Sequence, residues 1–274
     1  IEAIYENAEA KRALYAALEA RMKPAALLAT NTSSLALESL TTTLARPGRF
    51  VGLHFFNPVA QMPLVEVIET AQLDPGARAA ALAFTRSIDK LPLPCRSAPG
   101  FLVNRILLPY LTEAMLAAQE GVPYAVLDRV AVDFGMPMGP IELADTVGLD
   151  VCLHVGRILG AAFGRPAPEA VATLVAEGKL GRKSGQGLYA WQDGKAVKPP
   201  AGDARVPDDL EDRLILPLVN EAVAVWREGV VAEADLIDAG VIFGTGFAPF
   251  RGGPLRYARE RGVEAVRQRL EELA

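Results

Sequence analysis

Phe50-Val-Gly-Leu-His-Phe-Phe-Asn-Pro58 and, close behind it, Met62-Pro-Leu-Val-Glu-Val-Ile68 decide how this chain folds and where its chemistry sits. Both are apolar runs of strand length, and each carries one titratable residue, His54 or Glu66. An unpaired charge is costly inside such a run, so the natural arrangement has the two meet. A histidine held by a carboxylate keeps one tautomer and a stabilised imidazolium, which equips it to move a proton near neutral pH. The same residues also fit a hydrogen-bonded core histidine with Glu66 turned outward from an edge strand. His54 lies just before Asn57-Pro58, at the carboxyl end of its strand, where open α/β sheets bind ligands.

Upstream, Ile1-Glu-Ala-Ile-Tyr-Glu6 reads as a short strand. Asn7 is placed to cap a helix with Ala10, Leu14, Ala17, Leu18 and Met22 on one face, stopped by Pro24. Ala25 to Thr30 is a small-residue apolar strand that runs into Asn31-Thr-Ser-Ser34, and Leu35 to Ala45 is helical in pattern. This βαβα order predicts a doubly wound parallel sheet, with the Asn31–Ser34 turn and the His54 end on one edge. Downstream, Asp74-Pro75 opens a helix through about Asp89. The proline-rich Leu91-Pro-Leu-Pro-Cys-Arg96 is expected to close the sheet as an edge strand.

After Ser97-Ala-Pro-Gly100 strands give way to helices: Phe101 to Gln119, closed by Gly121, Tyr124 to Phe134, and Ile141 towards Leu159. A domain boundary is expected near Ala98. A shift of 108 positions sets Arg105, Leu108, Pro109, Glu113, Ala114, Glu120, Gly121 and Val122 on Arg213, Leu216, Pro217, Glu221, Ala222, Glu228, Gly229 and Val230. The helical part is therefore duplicated. Asn104 falls on Asp212, so the second copy keeps scaffold residues and loses that amide. Trp191 to Pro207, between the copies, reads as a linker.

Length and composition allow a large core in two domains. The net charge of -5 argues against a nucleic-acid or acidic-membrane surface. Cys95 and Cys152 lie far apart without a ligand spacing, which fits a reducing cytoplasm better than a disulfide framework or a metal centre. No run approaches the roughly 18 apolar residues of a membrane helix. The chain opens on Ile1, inside what reads as a strand, so a preceding segment is expected.

Several tempting motifs read better as structure. Gly244-Thr-Gly246-Phe-Ala-Pro249 lacks the third glycine of a dinucleotide loop and corresponds through the repeat to the turn at Gly135-Met-Pro-Met-Gly-Pro140. Gly181-Arg-Lys-Ser-Gly-Gln-Gly187 follows a helix rather than a strand, which disfavours a triphosphate loop and leaves a turn. His154 has no partner at ligand spacing and reads as a packed or surface helix residue. Ser33 also fits a helix cap, and Asn104 a surface position on its helix.

Taken in order, Ile1–Glu6, Asn31–Ser34, Gly52–Pro58, Pro63–Ile68, Pro99-Gly-Phe-Leu-Val-Asn-Arg105, Gly135–Pro140 and Gly181–Tyr189 resemble the L-3-hydroxyacyl-CoA dehydrogenase family. With its doubled helices the chain looks most like the dehydrogenase part of the multifunctional fatty-acid β-oxidation α-subunit, and less like a short hydroxybutyryl enzyme. The resemblance implies α/β plus all-α architecture: the C-terminal part of an incomplete Rossmann domain (1–98), a first helical module (99–198) and a second, degenerate one (205–274). It implies NAD as cofactor and an acyl-CoA substrate. His54 would be the base, oriented by Glu66. Ser33 and Asn104 would hold the substrate's reacting oxygens, with Glu6, Lys11, Asn31 and Asn57 beside the cofactor. A homo-oligomer, or a thiolase subunit in a β-oxidation complex, is the implied partner. The family's glycine-rich phosphate loop and acidic ribose-binding residue are expected ahead of Ile1. On that reading these residues alone fold, bind cofactor poorly and are catalytically silent. The alternative is a non-catalytic acyl-CoA-binding or assembly module.

Overall fold

A computed structural model describes residues 1–164, 169–200 and 206–273. The chain divides into two compact units, Ile1–Asn104 with Val225–Gly244, and Arg105–Ala224 with Thr245–Ala274.

In the first unit, α1 (Ala8–Glu19) precedes β1 (Leu28–Thr30), α2 (Leu37–Thr41), β2 (Phe50–Phe55), β3 (Leu64–Glu69), α3 (Pro75–Ser87) and β4 (Leu91–Arg96). Asn7 caps α1 as expected, its Oδ1 accepting from Ala10 N at 2.9 Å. The buried face of α1 differs from the expected one: Lys11 and Tyr15 are enclosed, while Ala17 is exposed. Polar partners on Glu2 and Thr30 draw these two inward, a pull that apolar periodicity does not register. The expected first strand shrinks to a single bridge, Glu2 to Thr30, because Ile4 and Tyr5 turn outward.

The strands lie in sequence order, β1-β2-β3-β4. The doubly wound parallel sheet expected from the sequence is corrected at its centre: β1–β2 and β3–β4 are parallel, but β2–β3 is antiparallel, and the order does not reverse. The reason is length. Only residues 56–63 join β2 to β3, whereas a crossover between parallel strands needs about a dozen residues or more.

Strand alternation then sorts the side chains. Val51, Leu53, Val65 and Val67 form a cluster with Ala29 and with Ala81 of α3. The alternate residues, Gly52, His54, Glu66 and Ile68, share the other face, paired Gly52 to Ile68 and His54 to Glu66. A Cβ on Gly52 would lie 2.8 Å from Ile68 Cβ, so the glycine makes room for its neighbour. β4 is the edge strand anticipated from Pro92 and Pro94.

The helices that follow are α4 (Val103–Gln119), α5 (Tyr124–Phe134), α6 (Pro140–Val147), α7 (Leu149–Phe163) and α8 (Glu169–Ala176). The single helix expected from Ile141 is broken at Gly148 (φ +105) into α6 and α7, bent by 100°. After a short hairpin, β5 (Ala190–Gln192) and β6 (Lys195–Val197), come α9 (Leu210–Arg227), α10 (Ala234–Thr245), α11 (Pro254–Arg261) and α12 (Val263–Leu273). α9 to α12 repeat the order of α4 to α7, with Pro109 and Pro217 at equivalent positions inside the first helix of each set.

The expected linker from Trp191 is corrected over its first part, and its residues 201–205 lie outside the described residues. Trp191 is buried and donates from Nε1 to Asp145 Oδ2 at 2.9 Å. Asp145 also accepts from Leu188 N and Tyr189 N, at 2.9 Å each. Gly181 and Gly187 pack so closely on Asp145 that a Cβ on either would fall within 2.3 Å of it. The Gly181–Gly187 segment is thus the wrapping of a buried carboxylate, in keeping with its reading as a turn. Gly246 (φ +75) likewise follows α10 in a left-handed turn. No single helix among the described residues is long and apolar enough to cross a membrane.

Candidate active site

The site grows from the one antiparallel pair in the sheet. Because His54 and Glu66 are directly opposite in register, their side chains leave the same face together. His54 Nδ1 lies 2.6 Å from Glu66 Oε2, with His54 6% exposed and Glu66 fully buried. The outward-turned glutamate left open by the sequence is excluded. The other oxygen of Glu66 accepts from Leu102 N and Val103 N, both at 2.9 Å. An ionised carboxylate only accepts, so the proton of neutral His54 sits on Nδ1 and Nε2 carries the lone pair. The rings of Phe56 and Phe101 flank the imidazole at 4.6 and 5.7 Å between centroids.

The Asn31–Ser34 turn follows β1. Asn31 Oδ1 accepts from Phe55 N at 2.9 Å, tying the carboxyl end of β1 to the residue after His54. Ser33 is clamped through its backbone: its N–H donates to Glu6 Oε1 at 3.0 Å and its carbonyl accepts from Asn104 Nδ2 at 3.0 Å. Glu6 also accepts from the hydroxyls of Thr32 and Ser34. Val103 and Asn104, neighbours in the first turn of α4, therefore reach Glu66 and Ser33 respectively. In this way His54, Glu66, Ser33, Asn104, Asn31 and Glu6 are drawn into one connected set, all within the first unit. Asn57, exposed and followed by a cis peptide to Pro58, makes no such link.

Lys11 is fully enclosed behind this turn, 2.8 Å from Glu2 and 3.4 Å from Glu6. Glu2 also accepts from Tyr15, from Thr30 at 2.8 Å, and from Ile4 N at 2.6 Å. Burial pushes the Glu2 carboxyl up, but the bonds from Lys11, Tyr15, Thr30 and Ile4 outweigh it and hold the group below its usual value. Burial and the neighbouring Glu2 raise the Tyr15 hydroxyl. Sequence reasoning missed Glu2, Tyr15 and Thr30. The available signal was Lys11 and Tyr15 four apart on a helix facing Glu2 in an apolar segment. The amides of Leu102 and Val103 had no sequence signal.

His154 is exposed on α7. Among the described residues no group of three or more His, Cys, Asp or Glu is arranged to hold a metal ion.

A mostly parallel Rossmann-like sheet carrying a buried histidine–carboxylate pair, followed by a helical domain, is an arrangement suited to nicotinamide-dependent dehydrogenases. Residues 1–98 match the family described as 3-hydroxyacyl-CoA dehydrogenase, NAD binding domain, and residues 100–191 its C-terminal domain. The chain is 38% identical to the fatty acid oxidation complex subunit alpha of Vibrio cholerae over 97% of its own length and 39% of that protein's. It spans about two fifths of the length of the curated relatives it matches. Among solved structures, FadB2 of M. tuberculosis is 34% identical over 69% of each chain, with a TM-score of 0.67. A 3-hydroxybutyryl-CoA dehydrogenase from Escherichia coli K12 is 28% identical, covering 99% of this chain and 76% of that one, with a TM-score of 0.84. The chain belongs to the 3-hydroxyacyl-CoA dehydrogenase family. Because the Escherichia coli likeness extends over the doubled helices, duplication alone does not set this chain apart from hydroxybutyryl enzymes.

Proposed function

We propose that the protein to which these residues belong oxidises L-3-hydroxyacyl-CoA to 3-oxoacyl-CoA with NAD in fatty-acid β-oxidation. The observation that carries this reading is the buried His54–Glu66 pair at 2.6 Å, with Nε2 left for a substrate proton. His54 takes the 3-hydroxyl proton at Nε2, and Glu66 stabilises the imidazolium that forms. In the reverse direction the imidazolium returns the proton. The Ser33 hydroxyl donates to the reacting oxygen, and Asn104, through its bond to the Ser33 carbonyl, keeps that hydroxyl in place.

The exposed Asn57 amide at the carboxyl end of β2 fits the nicotinamide half of the cofactor beside Glu6 and Asn31, while Lys11, enclosed behind the turn, acts on the cofactor side by holding Glu6. NAD, when bound, supplies the acceptor for the hydride that leaves C3. These 274 residues contain no Gly-x-Gly-x-x-Gly stretch for the pyrophosphate, so we read them as carrying this nicotinamide side alone. Titration calorimetry of the isolated chain is expected to give no saturable NADH binding below millimolar concentration, and micromolar binding would overturn this part of the reading.

We read residues 205–274 as a second, degenerate copy of the helical module at 99–198. From the relatives' name as a complex subunit we carry over an assembly; the family resemblance adds a thiolase subunit or a second copy as partner, and the free cysteines fit a cytoplasmic setting.

The test is His54→Gln in the protein that carries the full dehydrogenase region. Turnover falls on the order of 10²- to 10⁴-fold while acyl-CoA binding persists. Unchanged turnover would reject His54 as the base and favour an acyl-CoA-binding or assembly module.

A further inference from the structure

The turn that feeds α4 carries two consecutive residues in the left-handed region, Gly100 (φ +72) and Phe101 (φ +52). For glycine this is ordinary. For a bulky aromatic residue it is an outlier that persists only where surrounding contacts hold it. Here the contact is visible: the Phe101 side chain is fully buried, with its ring 5.7 Å from the His54 ring. The consequence is visible too. The two amides that follow the turn, Leu102 N and Val103 N, point at one oxygen of Glu66, each at 2.9 Å, while the other oxygen holds His54.

We propose that Phe101 is a positioning residue for the His54–Glu66 pair: its buried ring holds the left-handed turn whose amides fix Glu66, and Glu66 in turn fixes His54. Without the ring, only the Phe101 N bond to Ala98 O and the two amide bonds to Glu66 are left to offset the backbone cost. The turn relaxes toward ordinary dihedrals and carries both amides away from the carboxylate. Glu66 is then free to rotate, and the imidazole loses its fixed direction at the moment of proton transfer.

This inference rests on the proposed dehydrogenase reaction, and its test separates the two. Phe101→Ala and Glu66→Gln are made singly and together in the protein carrying the full dehydrogenase region, with His54→Gln as control. Phe101→Ala is expected to lower kcat on the order of ten- to hundredfold, with KM for acyl-CoA changed by about twofold or less. Because Phe101 acts through Glu66, the double variant is expected to be no slower than the slower single variant. Should Phe101→Ala fail to fold, Phe101→Leu keeps an apolar side chain in the buried site and is expected to show a smaller kcat loss with the same non-multiplying behaviour. An unchanged kcat, effects that multiply in the double variant, or a loss confined to KM would each overturn the positioning role while His54→Gln remains inactive. An active His54→Gln would instead overturn the reaction on which it rests.

Discussion

Arg105 donates from Nε to Glu221 at 2.7 Å, and the same bond is made in reverse, with Arg213 donating from Nε to Glu113 at 2.9 Å. Each arginine and each glutamate is the other's counterpart under the 108-residue shift, so the two pairs are related as in a two-fold interface built from one chain. The pairs differ in their surroundings. Arg105 is 4% exposed and its guanidinium covers the Phe163 ring at 4.7 Å, whereas Arg213 is half-buried and also bonds Glu120.

This asymmetry predicts unequal losses. Glu221→Ala takes a charge-assisted hydrogen bond from an enclosed guanidinium and is expected to cost about 2 kcal/mol. Glu113→Ala leaves Arg213 with Glu120 and water, and is expected to cost about 1 kcal/mol or less. Urea midpoints at constant slope measure both. Equal losses would show that burial does not distinguish the pairs.

Glu6 spends one oxygen on the Ser33 amide and on the Thr32 and Ser34 hydroxyls. Glu6→Ala is therefore expected to lower stability by about 2 kcal/mol, through donors left unsatisfied. In the protein carrying the full dehydrogenase region it is also expected to lower turnover by loosening Ser33. A melting temperature and a rate both within error of the parent would reject the clamp.

Asp145 presents a test of the turn at Gly181–Gly187. Asp145→Ala strands the Leu188 and Tyr189 amides and the Trp191 indole N–H, for an expected cost of about 3 kcal/mol. Gly187→Ala should be as damaging for a steric reason, since its Cβ would meet Asp145 Oδ1 at 2.1 Å. Tryptophan fluorescence followed through thermal unfolding reports both variants. A red-shifted emission before the melt would show Trp191 already released, whereas parental emission and stability would count against the cage.

Asp212 occupies the second-copy position equivalent to Asn104. Arg261 holds its carboxyl below the usual 3.8, against the smaller opposing effect of burial and with further help from Arg269. A group with a depressed folded-state pKa stabilises the fold above its unfolded value, and that contribution disappears as pH falls through the folded one. Asp212→Asn is thus expected to be less stable than the parent at pH 7 and to converge with it below the usual carboxylate value. A stability difference that stays constant down to pH 2 would refute the charge-based account.

Much of this protein follows from local pattern. Strand-length apolar runs fixed β2 and β3, and period-two alternation placed Gly52, His54, Glu66 and Ile68 on one face. Asn7 and Pro75 opened their helices where capping and ring geometry require, Gly135 ended α5 in a left-handed turn, and Pro92 and Pro94 consigned β4 to the sheet edge. These signals are local because dihedral preference and side-chain period act within a few residues. Tertiary structure decided the rest. The eight-residue connection made β2–β3 antiparallel and set His54 opposite Glu66. Only the folded chain brought Glu2 to Lys11 and Tyr15, turning a polar pair into the buried face of α1. Leu102, Val103, Leu188 and Tyr189 hold carboxylates through backbone amides, which every residue but proline carries, so no side-chain pattern could single them out.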